Sequence, residues 1–284
     1  MIIVILGPTA VGKTKLSLAL AKKYNAKIIN ADSVQIYKRL DIGSAKATLE
    51  ERSEVEHLLI DFKDPKDMYT VYDYQKDVRN ILDNHPNENF ILVGGTGLYI
   101  KAALFDYKFA DDSTSETYDS LTNEELYEKV KEKHPETEIH MNNRQRLVRA
   151  LNKDNKYDQN GDKLLYDAKF IGLTAPRDVL YQKIDNRVDA MIKEGLIEEV
   201  KSLYDENIRS KAVMTAIGYK ELYSYFDKEI TLEEAVNLIK QRSRKYAKRQ
   251  FTWFNNKMDV KWFNVNYENF DSTIDEVINY LDNK

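Results

Sequence analysis

The sequence contains no cysteine. That excludes disulfides and any zinc or iron–sulfur centre ligated by cysteine, and it accords with a cytoplasmic setting. Long apolar runs are missing too. Nothing approaches the roughly 20 apolar residues that a helix needs to cross a bilayer, so no membrane partner is expected. The apolar stretch from Ile2 to Leu6 has no basic leader and runs straight into a glycine loop. It reads as a buried strand rather than a signal peptide. An excess of positive charge is also lacking: the formal net charge of −4 argues against a wholly basic nucleic-acid binder. A local patch remains open, because Lys240, Arg242, Arg244, Lys245, Lys248 and Arg249 follow one another with no acid among them. Such a stretch suits a phosphate backbone.

What is present is a globular mixture of apolar and charged residues over 284 positions. That length allows one large domain, or a core carrying an insertion. Strand-like runs are expected at 2–6, 26–30, 90–93 and 170–173, and helical spacing at 13–23, 72–82, 123–133, 177–193, 197–204 and 232–254. Arg144, Arg146 and Arg149 group along one side of a further helical segment. Strand, glycine turn and helix in alternation predict an α/β fold with a parallel sheet, whose ligands sit beyond the carboxyl ends of the strands. Three polar loops fall there: 7–14, 32–35 and 94–97. After about Tyr107 the character changes, with a polar linker at 111–115 and a turn-rich stretch at 153–163. We therefore expect a core of residues 1–107 and 168–284 and a mostly helical insertion over 108–167. Nothing beyond residue 173 suggests another strand.

Gly7, Pro8, Thr9, Ala10, Val11, Gly12, Lys13 and Thr14 fit the phosphate-loop pattern G-x-x-x-x-G-K-[ST]. Glycines let backbone amides turn inward around phosphate oxygens, and the following helix N-terminus adds positive potential. Lys13 would supply a mobile cation and the Thr14 hydroxyl a magnesium ligand. The loop follows a strand and opens a helix, which is the context the pattern needs. Taken alone it suggests ATP. A nucleotide hydrolase also needs a strand ending in an acid, yet the 90–93 run ends in Gly94-Gly95. The run at 26–31 does end in Asp32, for which magnesium support, a general base and a helix cap are all open roles.

Further stretches carry more information. These are Asn-Ala-Asp-Ser-Val-Gln-Ile-Tyr-Lys at 30–38, Asp-Ile-Gly-Ser-Ala-Lys at 41–46 and Gly-Gly-Thr-Gly-Leu-Tyr at 94–99. Arg-Gln-Arg-Leu-Val-Arg-Ala-Leu at 144–151, Ala-Ile-Gly-Tyr-Lys-Glu-Leu at 216–222 and Lys-Arg-Gln-Phe-Thr-Trp-Phe at 248–254 complete the set. With the phosphate loop, and in this order, the chain resembles the tRNA dimethylallyltransferase family. The resemblance implies a P-loop NTPase-like core and transfer of a dimethylallyl group from its diphosphate to the exocyclic amine of the adenosine 3′ of the anticodon, with magnesium and release of pyrophosphate. It implies that residues 7–14 hold the diphosphate and that Asp32 is the base. Thr96 would lie at the leaving-group oxygen, with Lys13 and Arg187 on the diphosphate. It places contacts to the tRNA anticodon stem-loop on Asp32, Ser33, Val34, Gln35 and Thr96, and on Gln145, Arg146, Leu147, Val148 and Arg149. Further contacts would fall on Thr215, Ala216, Ile217, Gly218, Tyr219 and Lys220, and on Lys248, Arg249, Gln250, Phe251, Thr252, Trp253 and Phe254. A monomer is expected. The cysteine/histidine zinc extension of eukaryotic relatives is missing, which points to the bacterial form.

Plainer readings stand beside these. Arg187 could pair with Asp185 or Asp189 on a helix surface, Arg146 and Arg149 could form a solvated face, and Trp253 and Phe254 suit a core. Few acids are at hand along the chain to neutralise the 240–249 cluster. Residues 139–143, 152–163 and 211–214 depart from the family pattern, which touches the insertion and the RNA contacts but not the donor site. The main alternative is a P-loop nucleoside or small-molecule kinase; a third is an RNA-binding, NTPase-like switch without turnover.

Overall fold

The computed structural model describes residues 1–109, 118–152 and 161–283. The linker expected at 111–115 and residues 153–160 of the turn-rich stretch lie outside the described residues. The chain divides into two compact units, one made of Met1–Leu104 with Tyr166–Lys284 and the other of Phe105–Leu165.

The larger unit is built on β1 (Ile2–Leu6), β2 (Ala26–Asn30), β3 (His57–Leu58), β4 (Asn89–Val93), β5 (Ala168–Thr174) and β6 (Lys261–Asn264). All pair in parallel, in the order β3-β2-β4-β1-β5-β6. Parallel strands need crossover connections, and these are supplied by α1 (Lys13–Tyr24), α2 (Leu49–Glu54), α3 (Val71–Asn84) and α4 (Gly97–Leu104) on the N-terminal side. The inner strands are apolar on both faces, as a covered sheet requires: Ile3, Val4, Ile5 and Leu6 of β1 are wholly buried.

The second unit contains α5 (Asn123–Lys133) and α6 (Arg144–Asn152), which close a small core around Leu126, Val130 and Leu147. Its entrance and exit are side by side: Phe105 bridges Leu164, and the Asp106 amide donates to the Lys163 carbonyl at 2.9 Å.

The chain then returns through β5 to α7 (Arg177–Lys193), α8 (Leu196–Asp205), α9 (Lys211–Thr215), α10 (Tyr219–Phe226), α11 (Leu232–Lys257) and α12 (Phe270–Asp282). Four helices begin on a threonine whose side chain accepts the amide three residues on, answered by an acid: Thr48–Glu51, Thr70–Asp73, Thr122–Glu125 and Thr231–Glu234. These reciprocal caps fix the starts of α2, α3, α5 and α11. The expectation that everything after residue 173 is helical is corrected by β6. Its sequence, Lys-Trp-Phe-Asn, is short, with exposed ends around a half-buried Trp262 and a buried Phe263, and pairing with β5 at the sheet edge decides its conformation. No helix among the described residues is long and apolar enough to cross a membrane.

Candidate active site

Adjacent strands deliver adjacent loops. Because β2, β4 and β1 are neighbours, the loops leaving their carboxyl ends emerge together. Backbone bonds stitch them: the Ala31 amide donates to the Val93 carbonyl at 2.8 Å and the Thr96 amide to the Ala31 carbonyl at 3.1 Å. Gly94 is required by this approach, since a Cβ there would stand 2.2 Å from the Ala31 backbone. In the phosphate loop Gly12 takes φ +92°, and the space beside it is filled by the Phe270 ring, 2.4 Å from where a Cβ would be.

Lys13 opens α1 and folds back over the loop, its Nζ donating to the carbonyls of Gly7 (3.0 Å) and Pro8 (2.7 Å). Burial, helped by the nearby Arg187 cation and opposed by Asp32, lowers its pKa to about 7. Arg187 comes from α7 and reaches the Thr9 hydroxyl at 3.4 Å. Its pKa is also lowered by burial, against the favourable fields of Asp32 and Glu194. The surface pairing considered for Arg187 is not made: Asp185 pairs with Arg244, and Asp189 with Lys240. Both alternatives are therefore occupied, and Arg187 is left to the cleft.

Asp32 follows β2. Its Oδ1 accepts the amides of Val34 (2.9 Å) and Gln35 (3.4 Å), while Oδ2 has no hydrogen-bond partner among the described residues. Buried Asn30 fixes the turn from beneath, accepting the Asp32 amide and donating to the Asp32 and Leu59 carbonyls. Thr96 does not spend its hydroxyl on capping α4. It accepts the Ser33 amide at 3.1 Å and approaches the Ser33 hydroxyl at 3.4 Å. Lys13, Thr14, Asp32 and Arg187 line one cleft with residues 9–12. A second cavity shares Thr9, Asp32 and Arg187 with it and extends past Ser33, Val34 and residues 43–45 to Val188, Met191, Leu196 and residues 215–218.

Two side chains that the sequence does not mark as parts of this cleft also belong to it, and both lie on α11. Gln250 is buried; its Oε1 accepts the Thr9 amide (3.1 Å) and its Nε2 donates to the Gly95 carbonyl (3.1 Å), joining the phosphate loop to the glycine turn. One turn earlier Tyr246 reaches the same carbonyl at 3.4 Å and lies by the Thr96 hydroxyl, and burial raises its pKa. The usable signal is their helical spacing of four residues, extended by Trp253 three residues on, against Gly97.

The residues expected to meet RNA separate by exposure. Gln145, Arg146 and Arg149 are exposed on α6, with Val148 half-buried and Leu147 in the core of that unit. Thr215 and Lys220 are exposed and Ile217 half-buried, whereas Ala216, Gly218 and Tyr219 are buried. Lys248, Arg249, Phe251 and Thr252 are exposed, Trp253 is half-buried, and Gln250 and Phe254 are internal. The basic cluster is also less free than its sequence suggests. Lys240 pairs with Asp189, Arg242 with Glu221 and Arg244 with Asp185. The acids come from α7 and α10, so tertiary packing overturns the expectation that few were at hand. Lys245, Lys248 and Arg249 carry no ion pair among the described residues.

A parallel sheet with a glycine-rich loop after its first strand, flanked by Lys13 and Arg187, defines an α/β protein with a P-loop NTPase-like core. Residues 35–257 match the model of the family described as IPP transferase. The chain is 46% identical over 304 residues to the tRNA dimethylallyltransferase of Geobacillus thermodenitrificans, covering 100% of this chain and 96% of that protein. To the enzyme of the same name from Bacillus mycoides it is 44% identical, covering 99% and 94%. Among solved structures, the tRNA isopentenylpyrophosphate transferase of Bacillus halodurans superposes with a TM-score of 0.77 at 42% identity, over 99% of this chain and 95% of that one. A eukaryotic dimethylallyltransferase acting on tRNA gives 0.75 at 28% identity, over 92% and 73%. The chain belongs to the IPP transferase family and is an enzyme of the prenyltransferase type. The kinase alternative gains no support from these relatives.

Proposed function

We propose that this protein transfers a dimethylallyl group from dimethylallyl diphosphate to the exocyclic amine of the adenosine 3′ of the anticodon in tRNA, releasing pyrophosphate. The observation that carries this reading is electrostatic. Two cations, Lys13 and Arg187, line one cleft with the loop, burial lowers the pKa of each, and of the described carboxylates only Asp32 opposes both shifts. Such a cleft is stabilised by a multiply charged anion, and a diphosphate leaving group develops that charge in the transition state.

Loop residues 7–14 hold the diphosphate through their amides, Lys13 and Arg187 neutralise the departing oxygens, and the Thr96 hydroxyl stands between the two substrates. The adenine amine is a weak nucleophile because its lone pair feeds the ring. Asp32 therefore orients it and takes its proton, using the Oδ2 that the turn leaves unengaged. The target base lies in a single-stranded loop and reaches the cavity by being splayed out.

Magnesium fits this donor set. Among the described residues no three of His, Cys, Asp and Glu gather as a metal site. A magnesium ion held mainly by diphosphate oxygens and water needs no such cage. The Thr14 hydroxyl would hold it, and when bound it would add positive charge against the leaving group. We assign the exposed faces of α6 and α11, with residues 215–220, to the tRNA, and expect a monomer acting in the cytoplasm.

Incubation with dimethylallyl diphosphate, magnesium and unmodified tRNA tests the reading. RNA-dependent pyrophosphate release with prenylated RNA is expected; ATP consumption without prenylated RNA would overturn it in favour of a kinase.

A further inference from the structure

Glu199 on α8 has no place in the chemistry above, yet its carboxylate is fully engaged. It accepts three successive backbone amides, those of Asp41 (3.0 Å), Ile42 (2.7 Å) and Gly43 (3.1 Å), and the hydroxyl of Tyr219 (2.6 Å). A carboxylate offers about four acceptor sites, so none is left over. Bonds to an ionised acceptor are also the stronger ones.

The two segments that meet at Glu199 are walls of the same cavity. One is the loop after Asp32. Beyond the amides of 41–43 it continues to Ser44 and Ala45, whose carbonyls receive the Gln35 side chain at 3.1 Å each. The Gln35 amide in turn reaches Asp32 Oδ1. The other is the segment ending at Tyr219, and Ala216, Ile217 and Gly218 line the cavity together with Gly43, Ser44 and Ala45. The Tyr219 ring lies so close to Gly43 that a Cβ there would be 2.5 Å from it. Buried Lys46 holds the far end of the loop through the Tyr37 carbonyl and Asp61.

We propose that Glu199 is a positioning residue, which locks the loop bearing Asp32 to the 215–219 wall so that the proton acceptor and the base-binding side of the cavity move as one body. It touches neither the phosphate loop nor the diphosphate cations, so its effect falls on the RNA half of the reaction. The proposal relies on the prenyl-transfer reading only for the reaction being measured.

The test compares Glu199→Gln, nearly isosteric but presenting donors to donors, and Tyr219→Phe with the parent. We expect a folded Glu199→Gln variant whose kcat/KM for a tRNA anticodon stem-loop falls about 10²-fold, the scale of a misplaced reacting group. Its affinity for magnesium pyrophosphate should be unchanged, and Tyr219→Phe, which keeps the three amides in place, should lose less. Hydrogen exchange gives a readout independent of activity: amides at 34–35 and 41–43 should lose protection while those of residues 9–14 keep it. Parent-like protection at 34–35 and 41–43 would overturn the proposal. So would a pyrophosphate affinity that falls in step with turnover, because that marks general loss of structure. A parent that prenylates no RNA would refute the functional reading instead, and the exchange pattern would still decide the role of Glu199.

Discussion

Asp32 divides its carboxylate between two tasks. One oxygen holds the turn through the amides of Val34 and Gln35, and in the proposed reaction the other takes the proton. Asp32→Asn preserves the first task and removes the second, so turnover should fall by about 10²–10⁴-fold, the usual contribution of a positioned base. RNA affinity should persist, as read by single-turnover rates beside filter binding; parent-like turnover would reject the base. Lys13 makes a pH-dependent prediction. Its pKa is lowered to about 7 in the free protein, and a bound diphosphate raises it. Above pH 7 binding therefore takes up a proton and weakens as pH rises; below pH 7 Lys13 is already charged and contributes no slope. Calorimetry at pH 8 in buffers of different ionisation heat should show this uptake, and Lys13→Met should abolish it. Stability runs with the opposite sign, rising with pH between about 7 and the ordinary lysine value. The cost of burying a charged Lys13 is full below pH 7 and fades toward its ordinary pKa, so Lys13→Met should raise the Tm more at pH 6 than at pH 9. The phosphate loop was legible in the sequence because its geometry is local. The division of labour within Asp32 was not, since an acid after a strand looks the same as base, metal ligand or cap.

At the scale of elements, α11 carries three kinds of residue on one sequence. Tyr246 and Gln250 serve the cleft, Arg242 and Arg244 face acids of the same unit, and Lys248 and Arg249 face outward. Replacing Lys248 and Arg249 by alanine should leave the Tm unchanged and reduce the salt slope of RNA binding by about 0.7 for each phosphate that is no longer neutralised. An unaltered slope would show that these residues do not meet the backbone. Arg242→Ala should act oppositely. It strands Glu221, whose side chain is 1% exposed, and the loss of stability, discounted because Arg242 is 40% exposed, is about 1–3 kcal/mol by chemical denaturation. The periodicity of α11 made it readable as a helix from Leu232 onward. Which of its basic residues are neutralised was not readable, because the partners are 21 to 59 positions away in sequence. β6 escaped for a related reason: four residues with two apolar ones acquire their conformation only from β5.

For the whole molecule, the neighbouring ends of the second unit mean that it can be removed without parting the sheet. A short linker between residues 104 and 166 should leave a unit that unfolds cooperatively and binds magnesium pyrophosphate like the parent, while its affinity for tRNA drops. Calorimetry and filter binding would check this, and a failure to bind pyrophosphate would show that the larger unit depends on the smaller. The alternation of strands and glycine turns foretold the α/β core. Sheet order, which sets the three loops side by side, follows from long-range pairing that no local pattern encodes.

The contact between Phe270 and Gly12 also bears on the protein's synthesis. One wall of the phosphate loop is a ring made some 258 residues after it, beside a Tyr267 hydroxyl that reaches the Ala10 carbonyl, so the loop leaves the ribosome well before that wall. Until that stretch has emerged the loop lacks its outer support, so a nascent chain holding every residue assigned to catalysis is still without a finished donor site. Emergence of residues 267–270 thereby sets when the proposed donor site can first be complete.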